Sequence, residues 1–409
     1  MSSEYRHNHY VPVWYQNRFL SPATKDRELY YLDLCPGTFT DPRGVVHAGR
    51  AVRRLGFKHC FAEDNLYTAK FGKEESTRIE QIFFGQIDSR GKKAVEYFAG
   101  FEHPSANGDA FQDLLLYMST QKLRTPKGLA WLSDKARTSD RNQILKLMTE
   151  LGQVHCAIWT ECVWLIADAA QSATKFIISD HPVTVYNRRC GPRSQWCRSP
   201  KDPDIWLHAS HTLFPLCLDK ALILTNLSWV RNPYQSEVGV RPNPNPFRNA
   251  IFNFTDIQTL RFLSELEVRE INFIIKSRAY RFVAAAQEEW LYPERHVTKS
   301  DWHEYGHGYL LMPDPRSVTY SGESFIGYED GSSQAFDEYG QRPWQRGYRN
   351  GDRGVDSDWD TFHRFQGEFA RLFGPKRRGR AFNTMHLDEE QDPLEFHHYH
   401  LSLEKKSGR

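Results

Sequence analysis

The sequence contains no apolar run long enough to cross a lipid bilayer, for which about 20 consecutive residues are needed. Its first residues also lack the basic segment followed by an apolar stretch that is typical of a secretory signal peptide. These two absences argue against a membrane partner, and they predict a cytoplasmic location.

The chain also lacks a strong excess of either charge. Lysine and arginine total 53, aspartate and glutamate total 51, and the formal net charge is +2. Bulk electrostatics therefore give no argument for nucleic acid binding, which usually requires a basic face. The run Lys376–Arg380 is basic, and we interpret it as part of a solvated tail.

Zinc-type cysteine pairs are missing as well. The seven cysteines are scattered, and none of them forms a Cys-x-x-Cys pair. Cys190 and Cys197 are close enough along the chain to form a disulfide. We predict reduced thiols instead, because disulfides are rare in cytosolic proteins.

The residues that are present suffice for a sizeable core, since 40% are hydrophobic and 14% are aromatic. Glu28–Leu34 has the composition of a strand, and residues 73–169 show mostly helical spacing, including a long segment from Ile144 to Ala169. Thr125-Pro126 is typical of a helix start. We predict an α+β fold in which a helical bundle packs against a small mixed β-sheet.

A long helix from Ile257 to about Trp290 is predicted to close this unit, because Thr255-Asp256 suits a helix cap. Further along, Asp330-Gly331 favours a hairpin turn, and a short amphipathic helix follows it. The predicted divisions are a core domain over residues 1–292, an appended hairpin and helix over residues 293–375, and a basic, histidine-rich, disordered tail over residues 376–409.

Two segments concentrate polar and ionisable residues. The first is His7–Leu20, in which histidine, tyrosine and tryptophan surround Pro12. The second is Phe176–Val183, an apolar run that ends in Asp180-His181-Pro182. We predict that the fold brings these two segments together.

The chain resembles a large microbial family known as domain of unknown function 4238. The shared landmarks, in chain order, are His9-x-Val11-Pro12-x-x-Tyr15-x-x-x-Phe19, Tyr67-Thr68, Glu80, Gln121-x-x-Arg124-Thr125-Pro126, Ser179-Asp180-His181-Pro182, Phe214-Pro215-Leu216 and Asn272. Two positions depart from the family pattern: His181 stands where asparagine is more frequent, and Asp88 stands where a second glutamate is expected. The resemblance itself implies no activity.

The polar landmarks suggest a site for a phosphate ester. Histidine transfers protons near neutral pH, carboxylates orient a histidine or bind a metal, and arginine binds phosphate with a planar pair of donors. We therefore predict a hydrolase, with nucleic acid or a nucleotide as candidate partner and a divalent metal as candidate cofactor. The predicted catalytic residues are His9, Asp180, His181 and Glu80, and the predicted binding residues are Arg124, Gln121, Tyr15 and Asn272.

Three alternatives remain open at this level. First, His9 and Asp180 would also form a purely structural buried pair. Second, the chain would be a non-catalytic module that binds a ligand or partner. Glu80 and Asp88 are eight residues apart, which is too far for both to hold one ion, so we interpret them as exposed. The third alternative is a zinc protease.

The zinc-protease alternative rests on His303-Glu304-Tyr305-Gly306-His307, which matches the pattern His-Glu-x-x-His. That pattern needs a helix that places both histidines on one face. Gly306, Gly308 and Pro313 weaken a helix here, and a third ligand would have to come from Glu323 or Glu329. The later cluster of His397, His398 and His400 is interpreted as part of the tail.

Overall fold

The computed structural model describes most of the chain. The described residues are 7–22, 27–64, 66–67, 69–71, 74–76, 84–101, 108–160, 162–197, 202–205, 207, 209–226, 257–312, 323–327, 331–337, 344, 355–374 and 394–406. They form an α+β fold, which confirms the predicted class.

The strands are β1 (His7–His9), β2 (Glu28–Asp33), β3 (Thr38–Thr40), β4 (Val46–Ala48), β5 (Val52–Gly56), β6 (Ala62–Asp64), β7 (Ala69–Phe71), β8 (Glu74–Ser76), β9 (Cys162–Asp168), β10 (Ile178–Ser179), β11 (Thr184–Tyr186), β12 (His211–Pro215), β13 (Lys220–Asn226), β14 (Gln258–Phe262), β15 (Phe282–Ala285), β16 (Glu323–Gly327) and β17 (Ser333–Asp337). The α-helices are α1 (Val13–Gln16), α2 (Gly85–Ala99), α3 (Gly108–Arg124), α4 (Pro126–Ala136), α5 (Arg141–Thr160), α6 (Glu265–Arg278), α7 (Val355–Phe373) and α8 (Leu394–Lys406).

Two sheets form the β part of the fold. The larger sheet has the order β11-β12-β13-β9-β14, and all its neighbours are antiparallel except β14 and β9. Every residue of β9 is buried, as expected for a central strand made almost entirely of apolar residues. The smaller sheet has the order β10-β15-β2-β5 and is antiparallel throughout.

Helices α2 to α5 pack against one another beside the larger sheet, as the helical spacing predicts. The N-cap of α4 is Thr125, whose side chain accepts a hydrogen bond from the Gly128 N–H at 3.1 Å. Gly128 is required here because a Cβ atom would collide with the backbone oxygens of Lys122 and Leu123. The corner between α3 and α4 is therefore tight.

Two long helices predicted from the sequence are wrong. The segment Ile257 to Trp290 forms β14, α6 and β15, because Ser264 and Glu267 make a reciprocal capping box and Ala279 is extended. The segment Ile144 to Ala169 changes from α5 to β9. In both cases an apolar run suits a buried strand as well as a buried helix, and pairing with neighbouring strands decides between them.

The C-terminal region confirms one prediction and corrects another. Strands β16 and β17 form the predicted hairpin, and Gly331 adopts φ +81°. Residues 394–406, which were predicted to be disordered, form α8 instead. They fold because His397, His400 and Leu401 are buried, and Leu401 belongs to the same apolar cluster as β9.

Candidate functional site

The motif around Asp180 is fixed to the smaller sheet by buried hydrogen bonds. One Asp180 carboxylate oxygen accepts the Tyr280 N–H at 2.8 Å, and the other accepts the N–H groups of Arg281 and Phe282 at 2.6 and 2.8 Å. Burial raises the pKa of Asp180, although these three donors oppose the shift. The carboxylate is thus occupied by backbone, and its contacts are those of a structural residue.

Asn272 holds the preceding residues of the same motif. This buried side chain accepts the Ile177 N–H at 3.1 Å and donates to the Lys175 carbonyl at 2.8 Å. The sequence left open whether Asn272 is exposed or makes a polar contact, and the structure shows the polar contact. Together, Asn272 and Asp180 fix the direction in which His181 leaves the strand.

His181 lies at the tight corner between α3 and α4. Its Nδ1 is 2.8 Å from Thr125 Oγ1, and its Nε2 is 3.2 Å from Lys122 Nζ. A lysine ammonium can only donate and a carboxylate can only accept, so the tautomer of His181 decides whether Nε2 bonds to Lys122 or to Asp202, whose carboxylate is 3.4 Å away. Burial lowers the pKa of His181 to about 3, and Lys122 adds to the shift. The ring is therefore neutral at physiological pH.

Asp202 is the centre of a buried cluster of cations. Its carboxylate lies 3.2 Å from Lys122 Nζ, 3.3 Å from Lys127 Nζ and 4.0 Å from Arg278 Nε. The Asp202 side chain is 8% exposed, while those of Lys127 and Arg278 are 1% and 0% exposed. His181 Nε2 is 3.4 Å from the same carboxylate.

Ionisation in this cluster follows from burial and from the excess of cations. Burial disfavours the Asp202 carboxylate, but Lys127 and Lys122 hold its pKa well below its usual range. Burial lowers the pKa of Lys127 to about 8, and Asp202 opposes that shift. Lys122, Lys127 and Arg278 thus surround the Asp202 carboxylate, and the buried Asp180 carboxylate also interacts electrostatically with Lys127.

A pocket opens beside the cluster, between α4, α5 and the loop that carries Asp202. Its cavity volume is about 20 Å³, and its lining includes Lys122, Lys127, Trp131, His155, His181 and Asp202. At the mouth, Lys135 forms an ion pair with Asp204 at 3.0 Å and lies over the Trp131 ring. The pocket lining thus combines cationic and aromatic side chains.

The other side of Arg278 contacts two cysteines. Its guanidinium donates to the Cys190 carbonyl and lies 3.1 Å from Cys197 Sγ. Both cysteines are free, as the sequence predicts. A hydrogen bond from Cys190, together with Arg278, lowers the pKa of Cys197.

The first polar segment does not reach this pocket. His9 Nε2 bonds to the Phe57 carbonyl at 3.0 Å, and among the described residues no hydrogen bond joins His9 to Asp180. Tyr15 is buried, stacks on Phe214 and donates to the Pro215 carbonyl at 2.5 Å. The predicted pairing of His9 with Asp180 is therefore wrong, and the contacts of Tyr15 are those of a core residue.

Arg124 and Gln121 form a separate buried network. The Arg124 guanidinium lies 2.9 Å from Gln121 Oε1 and 2.8 Å from Asp88 Oδ1, and Gln121 also donates to the Tyr10 carbonyl at 2.8 Å. Asp88 is therefore paired rather than exposed, which corrects its interpretation. Glu80 lies outside the described residues.

The zinc-protease geometry is absent from the described part of residues 299–312. The helical turn Lys299–Glu304 ends before His307, and Gly306 adopts φ +91°. Glu304 lies 3.0 Å from His303 Nε2 and 3.2 Å from His307 Nε2, so the carboxylate lies between the two rings. Nowhere in the described ranges do three or more His, Cys, Asp or Glu side chains form a group suited to a metal.

The carboxyl group of Glu270 on α6 has a strongly shifted pKa. Burial raises its pKa to about 7. A raised carboxyl pKa contributes stability at low pH that is lost as pH rises from 4.5 through 7. We expect Glu270→Gln to raise the free energy of unfolding by about 2 kcal/mol at pH 8 and to leave it unchanged at pH 4. Urea denaturation at both pH values measures this, with the exposed Glu150→Gln as control. Equal stability of Glu270→Gln and wild type at pH 8 would contradict it.

Comparison with known proteins adds no functional assignment, since no protein-family model, curated protein or solved structure matches the chain. Membership of the family that the landmarks resemble therefore stays a prediction. In the described residues, no helix is both long and apolar enough to span a membrane.

Proposed function

We propose that the chain binds the phosphate group of a small ester at the mouth of the pocket between α4 and α5. The observation that carries the proposal is the buried cluster of cations, in which Lys122, Lys127 and Arg278 lie within 4.0 Å of the Asp202 carboxylate. Buried cations are costly unless anions balance them, so a cluster of this kind favours the binding of an anionic ligand. Lysine is a common phosphate ligand in proteins.

Stabilisation by anions tests this proposal. We expect 10 mM inorganic phosphate to raise the free energy of unfolding by about 1.4 kcal/mol relative to chloride at equal ionic strength, for a Kd of about 1 mM. Acetate, titrated in parallel, separates phosphate from carboxylate recognition. Differential scanning fluorimetry and isothermal titration calorimetry measure the effect.

A matched pair of variants locates the binding site. Lys127→Met should abolish the phosphate effect, whereas Lys146→Met should retain it because the Lys146 side chain is 80% exposed on α5. Each variant is compared with itself in chloride, so a change in its own stability does not affect the result. Equal stabilisation by phosphate in wild type and Lys127→Met would reject the pocket as the site.

Hydrolysis of the bound ester is the second candidate function. It is favoured by Lys127, which borders the pocket and whose pKa of about 8 lies near neutrality. Release of inorganic phosphate from glycerol 3-phosphate, with and without Mg²⁺, tests it. A wild-type protein that binds the ester without turnover is a binding module. Recognition of nucleic acid or nucleotides stays a prediction.

A further inference from the structure

The two cysteines that contact Arg278 are brought together by a surface loop. Residues 190–197 make two consecutive turns, which are closed by backbone hydrogen bonds of 2.9 and 3.0 Å. These turns lead the chain back to its start, and the Cys190 and Cys197 thiols are hydrogen-bonded to each other. With Leu207, the two cysteines form a small apolar cluster of their own, apart from the main core.

Cys197 has the surroundings of a reactive thiol. The Arg278 guanidinium lies 3.1 Å from its sulfur and is held in place by the Trp302 ring, whose centroid is 4.7 Å away. The hydrogen bond from Cys190 lowers the pKa of Cys197, and Arg278 adds to the shift, although burial opposes it. The same hydrogen bond raises the pKa of Cys190, so Cys197 ionises first. The thiolate is the form of cysteine that reacts with oxidants.

The pair also lies close to the surface. Cys197 is 4% exposed and ends the helical turn Gln195–Cys197, in which Trp196 is 42% exposed. Hydrogen peroxide is little larger than a water molecule, so a small local opening of this turn admits it. Cys162 in the central strand β9 provides a contrast, because it is 2% exposed and burial raises its pKa. The surroundings therefore favour oxidation at Cys197 over oxidation at Cys162.

We infer that Cys190 and Cys197 are a peroxide-sensitive pair that forms a disulfide on oxidation. The Cys197 thiolate attacks one oxygen of hydrogen peroxide, the O–O bond breaks, and a sulfenic acid and hydroxide form. The Cys190 sulfur then attacks the sulfenic sulfur, the S–O bond breaks, and the Cys190 proton leaves with that oxygen as water. The two thiols lose two electrons in total and the peroxide gains them. Disulfides in cytosolic proteins are usually transient ones of this redox-sensing kind.

Peptide mapping of the full chain tests the inference. The reduced protein is treated with hydrogen peroxide, the remaining thiols are blocked, and trypsin cleaves after arginine, which separates residues 190–193 from residues 194–198. We expect a product in which these two peptides are joined and lack two hydrogen atoms, and which dithiothreitol separates. Cys197 should be oxidised at least about tenfold faster than Cys162 in the same sample.

Three variants test the order of the two steps. Cys190→Ser removes the second thiol, so Cys197 should accumulate as sulfenic acid, and labelling by dimedone should rise about tenfold over wild type. Cys197→Ser should form no disulfide and should leave Cys190 unlabelled. Cys162→Ser is the matched control and should form the disulfide as wild type does.

The wild-type chain decides the question even if a variant does not fold. Absence of the joined peptide, or its formation only after unfolding in guanidinium, would overturn the inference. Equal oxidation of Cys162 and Cys197 would overturn it as well, because the contact with Arg278 would then confer no reactivity. Equal dimedone labelling of Cys190→Ser and Cys197→Ser would contradict Cys197 as the first thiol to react. The inference does not depend on the phosphate site, and it stands if phosphate does not bind.

Discussion

Asp202→Asn is expected to lower the free energy of unfolding by about 3–5 kcal/mol at pH 6. The substitution keeps the shape of the side chain but removes the negative charge that Lys122, Lys127 and Arg278 share. Uncompensated cations then remain buried in the folded state. Guanidinium denaturation of wild type and variant measures the difference.

The pH dependence of this loss provides a second readout. Lys127 already has a pKa of about 8, and without Asp202 it should lose its proton more easily. Because a lysine with a lowered folded-state pKa contributes stability that grows as pH rises, the cost of Asp202→Asn should be smaller at pH 9 than at pH 6.

Asp204→Asn is the matched control for the same loop. Its partner Lys135 is 48% exposed, so their ion pair at 3.0 Å should contribute less than about 1 kcal/mol. A loss of similar size in both variants would show that the cluster around Asp202 has no special electrostatic role. Added phosphate should leave the cost of Asp202→Asn unchanged or reduce it, since a bound anion supplies the missing charge.

The sequence predicts the fold class and several elements because their signals are local. Thr125 caps α4 through its own side chain, and Gly331 lies between the two strands of the predicted hairpin. The errors arise where the signal is non-local. Residues 162–168 form a strand because β13 pairs with them along their whole length. The apolar pattern of the segment does not indicate this pairing.

In the candidate site, too, residues with a local sequence signal were predicted and residues without one were missed. His181 was predicted from its motif and does line the pocket, but Lys122, Lys127 and Asp202 were missed. The two lysines flank the landmark Arg124-Thr125-Pro126, and their position at a tight helix corner was the available signal. The sequence gives no comparable signal for Asp202, because Asp202 and Lys122 are in contact although 80 positions separate them in the chain.

Several polar landmarks form hydrogen bonds or ion pairs that hold the fold together. Asn272 and Tyr15 bind carbonyl or N–H groups of distant strands, and Arg124 forms its ion pair with Asp88 away from the pocket. Residue type alone does not separate such roles from catalysis, since a carboxylate that binds three N–H groups has the same sequence signature as a general base. Contacts distinguish them, and Asp180 allows the sharpest test.

Asp180→Ala is expected to lower the free energy of unfolding by about 4 kcal/mol, because three backbone N–H groups of residues 280–282 lose their acceptor. Asp180→Asn should cost about half as much. Its amide oxygen can replace the carboxylate oxygen that accepts two of the donors, but its amide nitrogen faces the third. Urea denaturation at pH 7 gives both values.

The control is Asp219→Asn, which removes a surface ion pair to Lys175 from a side chain that is 41% exposed and should cost less than about 1 kcal/mol. A catalytic Asp180 would behave differently, since Asp180→Asn would then retain wild-type stability and lose turnover. A structural Asp180 predicts loss of stability together with ligand affinity that is retained in the fraction still folded. Weakened phosphate binding by folded Asp180→Asn would therefore contradict a purely structural role for Asp180.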